Sequence, residues 1–517
     1  MDINMSITSF YFLCFYVFLL LIYYIVPKKL QWAVLLAGGF AYCLLSGQGI
    51  LILYPVVTGG ICYIAGKIIE KAKEGEKAEA KKRRSGLLFA LAGTLCLLIV
   101  VKYSNFFINI VNSITGLFCG GQIEALDILI PLGISYYTFM MLGYVIDIYY
   151  GIGKSAPSFG RFLLFGTYFP ALISGPIMSY QEMGEQFAAF HKFDYKQVTF
   201  GMQRMLWGFF KKLVISERMA LVANTIFNDY ENYGGFYFWV AAIFFVLQLY
   251  TDFSGCMDIV LGLSETFGLK LPENFQTPFF SRSISEFWRR WHITLGTWMK
   301  NYVFYPLLRS KLFTDLGKKT KKRFGRKAGK QITTFAAMFV LWFTVGIWHG
   351  PDFKFVLGSG LIHWFYIVLG EICEPLNKKV RTVLHIRQDG RGFGVFQRIR
   401  TFFLVTLAFL FFRADSVGTA VYMLKSMFST WNPGVIFGGT FFTMGLDWVE
   451  MTIAMVSLVI LLVISLLQEK GIHIRESISQ KKLPIRWIIW YALLFYTILL
   501  GYYGPGYSAA EFIYQGF

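Results

Sequence analysis

The sequence predicts an all-α, polytopic integral membrane protein, and three observations lead there. Hydrophobic residues make up 56% of the 517-residue chain and charged residues only 15%, a composition foreign to soluble globular domains. Apolar runs of roughly 20 residues, each long enough to cross a hydrocarbon core as helix, recur from one end of the chain to the other. The net charge of +19 is gathered into short clusters between those runs.

The runs fall at 8–26, 30–47, 49–69, 86–103, 128–150, 160–180, 236–262, 331–349, 355–373, 399–412, 448–467 and 486–503. The first lacks the small-residue cleavage site of a secretory signal and is read as a retained span. Together they predict roughly eleven or twelve spans plus re-entrant or interfacial helices, 399–412 being the shortest run. One membrane domain over 1–508 and an aromatic tail over 509–517 complete the expected organisation.

Basic clusters occur at Lys28 and Lys29, 71–84, 318–330, 378–400 and 480–486, and the positive-inside rule places all five in the cytoplasm. Two spans separate the first cluster from the second and two the third from the fourth, so parity agrees. Both termini are then expected outside the cell membrane. The clusters serve topology alone, or they also attract an anionic cytosolic donor.

Seven cysteines, mostly within apolar runs and without a C-x-x-C, read as small buried hydrophobes. No zinc spacing, Walker loop or dinucleotide fingerprint occurs, so no bound metal or cofactor is expected and ATP-driven transport has no support.

The stretch "SRSISEFWRRWHITLGTWMKNYVFYPL", 281–307, breaks the hydrophobic pattern. Ser283 and Glu286 have capping-box spacing, so a helix is expected from about Ser285. Trp288, Trp291, His292 and Leu295 then share one face at i, i+3, i+4 and i+7, with Arg289, Arg290 and Lys300 largely off it. Such a helix is too polar to span and too apolar to be free, which suits an interfacial or re-entrant element packed in protein. His292 is there either a hydrogen-bonded structural group or a catalyst.

In "FVLWFTVGIWHGPDF", 339–353, His349 ends an apolar helix that Gly350 and Pro351 terminate. Gly346, one turn back, is expected to leave room for an approach to the imidazole. An ionisable group at the end of a membrane helix, beside Trp348, marks a functional site, whereas His363 in "LIHWF" reads as structural. Gln248 with Asp252, and Ser254 with Asp258, stand at i and i+4, so neutral neighbours are expected to satisfy these acids. Asp147 and the pair Arg413 and Asp415 read as buried ion-pair architecture.

"FWRRWHITLGTWMKNYVFYPL" followed by "GIWHG" resembles the membrane-bound O-acyltransferase (MBOAT) family, in its bacterial branch of alginate O-acetyltransferases and D-alanyl transfer proteins. "IPLGISYYTFMMLGYVIDIY", "YFPALISGPI", "GMQRMLWGFFKKLVISERMA", "YTDFSGCMDIVLGL", "LPENFQTPF" and "FFRADS" follow that branch in order over nearly the whole chain. After "YPL" the chain departs from the glycine-rich turn of the alginate type and runs into "LRSKLFTDLGKKTKKRFGRK". Its ending "FIYQGF" resembles the "FIYFQF" of the same relatives.

The resemblance implies a fold with a central tunnel and transfer of an acyl group, most simply acetyl, from a cytosolic thioester (acetyl-CoA or an acyl carrier protein) to a polymer hydroxyl outside. It assigns catalysis to the histidine matching His349 and a further requirement to that matching His292. His349 is expected to take the proton of the attacking hydroxyl, its ordinary pKa near 6.5 suiting exchange near neutrality, while His292 orients the donor or stabilises the oxyanion. Lys211 and Lys212 read as donor contacts or as snorkelling interfacial lysines, and Trp288, Trp291, Trp348, Gly346 and Asp252 are candidate tunnel residues.

The phenol of Tyr514, in "EFIYQGF", is the candidate relay. With a pKa near 10 its phenolate leaves more readily than a sugar alkoxide, so an aryl ester can pass the acyl group to an extracytoplasmic, SGNH-hydrolase-like partner and a cell-surface polysaccharide. The competing reading of Phe512, Tyr514 and Phe517 is an interfacial aromatic anchor. D-alanyl transfer to teichoic acid is the near alternative. A lipid or polysaccharide transporter is the alternative of another class, and it leaves the two Trp-His motifs unexplained.

Overall fold

The computed structural model describes residues 5–72, 77–116 and 122–503. The described chain is helical almost throughout, with a single isolated two-residue bridge, Phe275 to Trp291. Helices start where a short polar side chain can take an orphan backbone N–H. Ser9, Ser158, Ser283, Ser310, Ser416 and Asp447 each cap the helix that follows.

Eight helices among the described residues are long and apolar enough to cross a membrane: Gly49–Lys71, Lys77–Thr115, Phe236–Thr266, Lys311–His349, Phe353–Val383, Arg391–Arg413, Trp448–Glu469 and Leu483–Leu500. The protein is thus an all-α, multi-pass membrane protein. The count is below the expected eleven or twelve because four apolar runs fold into shorter pieces. Phe10–Ile25, Gln31–Leu45 and Ile134–Tyr149 have only 16, 15 and 16 residues. The run 160–180 breaks into Phe159–Thr167 and Phe169–Ser174, with Tyr168 extended and Pro170 in the first turn of the second piece. Conversely, the short run 399–412 lies within the 23-residue helix Arg391–Arg413. Hydropathy registers an apolar run whether it crosses lipid or packs inside protein, and of Ile134–Tyr149 all but Tyr149 is buried.

Two compact units can be distinguished. The first comprises the chain up to Met205 with Cys256–Pro272. In it, a Cβ on Gly201 or on Gly262 would come 2.5 Å from the other's carbonyl oxygen, so two helix backbones touch where no side chain fits. Arg204 and Asp258 pair at 2.9 Å beside this contact, and the Tyr168 hydroxyl reaches Ser264 Oγ at 3.0 Å.

The second unit comprises Leu206–Gly255 and the described chain from Glu273 to Tyr503. Its described residues contain three π-helical turns, Phe210–Ser216, Lys300–Phe304 and Leu357–Leu361, a geometry that recurs at functional sites. The basic cluster 318–330 is helical, and the chain turns back on itself at Gly325 (φ 81°). There Thr320 Oγ1 donates to the Gly329 carbonyl at 3.0 Å.

Candidate active site

His349 is the last residue of Lys311–His349 and is 1% exposed. Its Nδ1 lies 2.8 Å from the carbonyl of Val345, one turn back. A carbonyl only accepts, so Nδ1 carries a proton, and in the neutral tautomer Nε2 is the basic nitrogen. The tautomer follows from helical geometry alone.

His292 is held differently. The expected continuous helix with Trp288, Trp291, His292 and Leu295 on one face does not form. Helix Ile284–Arg290 ends, Trp291 is extended, and His292 takes a left-handed conformation (φ 46°, ψ 50°) before Ile293–Met299 begins. The cause lies outside the segment: Gln276 N–H donates to the Arg290 carbonyl (2.9 Å) and Ile293 N–H to the Asn274 carbonyl (3.1 Å), drawing the chain into the bridge between Phe275 and Trp291. A non-glycine residue at positive φ costs about 1 kcal/mol or more and persists only where its surroundings impose it.

Asn274 Oδ1 accepts from Thr294 N–H and Thr294 Oγ1, both at 3.0 Å, and from His292 Nδ1 at 3.3 Å. The backbone donor fixes which amide atom is oxygen, so Nδ1 of His292 is also protonated. Burial, and then the nearby His349, hold the His292 pKa well below the ordinary histidine range. The ring is neutral.

Trp348 stands between the two histidines, its ring centre 4.9 Å from that of His349 and 5.6 Å from that of His292, edge-on to both. Phe253 meets His292 at 4.8 Å. His363 is fully buried and packs edge-on against Trp288 at 4.9 Å, within the same aromatic cluster. Trp291 is fully buried between Phe287, Phe275 and Phe409 and acts as packing for this corner. Gly346 does not leave open space. A Cβ there would come 2.6 Å from the Val356 Cα, so the glycine admits the backbone of the helix that follows, Phe353–Val383.

The neutral partners expected for the two acids are replaced by cations. Lys212 Nζ sits 2.6 Å from Asp252 and 2.9 Å from Glu217, and Lys211 Nζ donates to Ser254 Oγ at 2.9 Å. Asp258 is taken by Arg204. Neither lysine snorkels, for both are at most 4% exposed. Burial lowers the Lys212 pKa, but Asp252 and Glu217 outweigh it and raise the pKa overall. Asp252 and Ser254 flank Phe253, so these lysines are tied to residues adjoining the ring that touches His292.

Arg413 reaches Asn224 and Asn228 at 2.7 and 2.8 Å and pairs with Asp415 only at 4.0 Å, and because Asp415 is mostly exposed the expected pair forms but is not buried. Tyr514 lies outside the described residues. Sequence reading missed Asn274, Glu217 and the Val345 carbonyl as parts of the site. The first had a visible signal, a polar residue inside the quoted "LPENFQTPF", but its contact with His292 spans 18 positions.

Fold and site together define a multi-pass membrane protein with two buried histidines disposed about a shared tryptophan, a class suited to proton transfer away from water. The family model of the MBOAT, membrane-bound O-acyltransferase family, matches residues 153–319, a range that includes His292 and Asn274 but stops before His349. The chain is 30% identical over 429 residues to the "Probable alginate O-acetylase AlgI" of Pseudomonas aeruginosa, covering 82% of this chain and 75% of that protein. It is 28% identical to the peptidoglycan O-acetyltransferase of Helicobacter pylori (72% of this chain, 69% of that protein). It is also 28% identical to the teichoic acid D-alanyltransferase of Bacillus subtilis (54% and 68%). The chain belongs to the membrane-bound O-acyltransferase family and is an O-acyltransferase.

Proposed function

We propose that this protein moves an acetyl group from a cytosolic thioester, acetyl-CoA, through the membrane to the hydroxyls of a cell-surface polysaccharide. The relatives that modify alginate and peptidoglycan support acetyl and a surface polymer. The observation that supports the chemistry is the His349 Nδ1–H bond to Val345, which makes Nε2 the basic nitrogen of the neutral tautomer. In the proposed step Nε2 takes the proton of an attacking hydroxyl as its oxygen bonds to the thioester carbon. The C–S bond then breaks, and the thiolate takes the proton back from the imidazolium.

His292, neutral and with Nδ1–H directed to Asn274, presents an acceptor nitrogen. This supports orientation of an amide N–H of the thioester donor over stabilisation of an oxyanion, which calls for a hydrogen-bond donor. The attacking hydroxyl is proposed to be Tyr514, the aryl ester then passing the group to an extracytoplasmic partner.

Mass spectrometry of the peptide containing Tyr514, after incubation of the protein with acetyl-CoA, tests this reading. An acetyl adduct lost in His349→Ala is the expected result, and an adduct of D-alanyl mass formed only with a charged carrier protein selects the alternative. Full polymer modification by Tyr514→Phe refutes the relay.

A further inference from the structure

Arg218 is 2% exposed and joins three segments. Its Nε donates to Glu450 at 2.7 Å, at the start of Trp448–Glu469. Its Nη1 donates to the carbonyls of Val214 (3.0 Å), one turn back, and Leu500 (2.7 Å), the last residue of Leu483–Leu500. The guanidinium also lies 4.6 Å from the ring centre of Tyr502, whose N–H donates to the Leu213 carbonyl at 2.9 Å.

The helix so held is otherwise peripheral. Of its 18 residues only Thr497 is buried, so hydrophobic packing does little to fix where it ends. A buried arginine on a terminal carbonyl does fix it, because that carbonyl has no partner within its own helix. Arg218 is also the far end of a chain of polar contacts. Phe253 touches His292, its neighbour Asp252 holds Lys212, Lys212 holds Glu217, and Glu217 adjoins Arg218. The histidine corner and the end of Leu483–Leu500 are therefore tied to one short stretch, Phe210–Arg218.

We propose that Arg218 is a positioning residue for acyl transfer, fixing the root of the segment that carries Tyr514 with respect to the histidines. This rests on the relay reading above. Tyr514 follows Tyr502 by twelve residues, which span at most about 40 Å. The position of that root therefore sets where the range of the tethered phenol is centred, and with it the phenol's effective concentration at the site.

The test uses the full chain in lipid nanodiscs with acetyl-CoA, reading the initial rate of Tyr514 acetylation against donor concentration. Arg218→Leu is expected to lower the maximal rate about tenfold or more while the acetyl-CoA KM stays unchanged, and Arg218→Lys to recover part of the rate. Tyr502→Ala keeps the three hydrogen bonds of Arg218 and removes the ring beside it together with the phenol's hydrogen bond to Glu450, so it serves if Arg218→Leu does not fold. It is expected to give a smaller drop of the same kind. An unchanged rate in Arg218→Leu, or in Tyr502→Ala where that variant serves, overturns the proposal, as does a rise in KM that accounts for the loss. Absence of acetyl-Tyr514 from the wild-type protein overturns the relay reading itself, and is seen before any variant is made.

Discussion

His349 and His292 both come to carry a proton at Nδ1, by opposite routes. His349 stands at the end of a regular helix, and its Nδ1–H is used by a carbonyl that helical geometry supplies four residues back. His292 stands at a break between two short helices, in a left-handed conformation, with Nδ1–H used by a side chain 18 residues away. The first arrangement is local and cheap to form. The second is strained and depends on Asn274, the Phe275 bridge and the aromatic packing of Trp291 all being in place. A site built from one local and one tertiary histidine has more positions whose loss disturbs the second, while the first is disturbed chiefly by its own removal.

The largest expected effect is on the local side. His349→Ala removes the proposed base and should lower acetyl transfer by about 10²- to 10⁴-fold, measured in membranes with acetyl-CoA, while the protein remains folded because only one capping contact is lost. Next, Lys212→Met leaves Asp252 and Glu217 buried without their shared cation and should destabilise by about 3–5 kcal/mol. Thermal unfolding in detergent reads this, and adding Asp252→Asn should recover part of the loss.

Asn274→Ala strands Thr294 N–H and frees the His292 ring, which predicts a loss of about 1–3 kcal/mol in stability. Transfer activity should fall as well, whereas substitution of Val345, whose contribution is a backbone carbonyl, should not mimic it. A comparable cost of about 1–3 kcal/mol is expected for Gly346→Ala, whose methyl meets the Val356 backbone. If Gly346→Ala instead leaves stability intact and lowers only the affinity for acetyl-CoA, the glycine lines a substrate path after all.

The smallest effect separates the two histidines by pH. The folded protein holds the His292 pKa below its unfolded value near 6.5, so below that pH the unfolded chain binds a proton that the folded one refuses. Stability is therefore full above about pH 6.5 and declines as the pH falls towards the folded pKa. Unfolding midpoints between pH 7.5 and 5 should drop less in His292→Gln than in the wild-type protein.

Much of this was legible from sequence. Apolar runs, basic clusters and the Gly-Pro stop after His349 gave the helical membrane class and the local histidine, and Ser283 and Glu286 do form the predicted cap, Ser283 Oγ accepting from Glu286 N–H at 3.2 Å. The break at Trp291 was not legible, because heptad-like spacing of Trp288, Trp291, His292 and Leu295 satisfies a helix and nothing within the segment opposes it. Nor was the pairing of Asp252 with Lys212, since intrahelical spacing offers Gln248 first and a partner 40 residues away leaves no periodic trace.

By itself, then, the sequence determined what depends on neighbours along the chain: which stretches are helical and apolar, where helices are capped and stopped, and that His349 ends one of them with Nδ1 within reach of its own backbone. Only the tertiary structure decided which of several eligible partners each buried polar group takes, that His292 leaves the helix, and that Gly346 is filled by backbone. The physical reason is that a helix's hydrogen bonds close within four residues and are written locally, whereas a buried charge or imidazole must be satisfied by whichever group the packing of distant segments brings within about 3 Å.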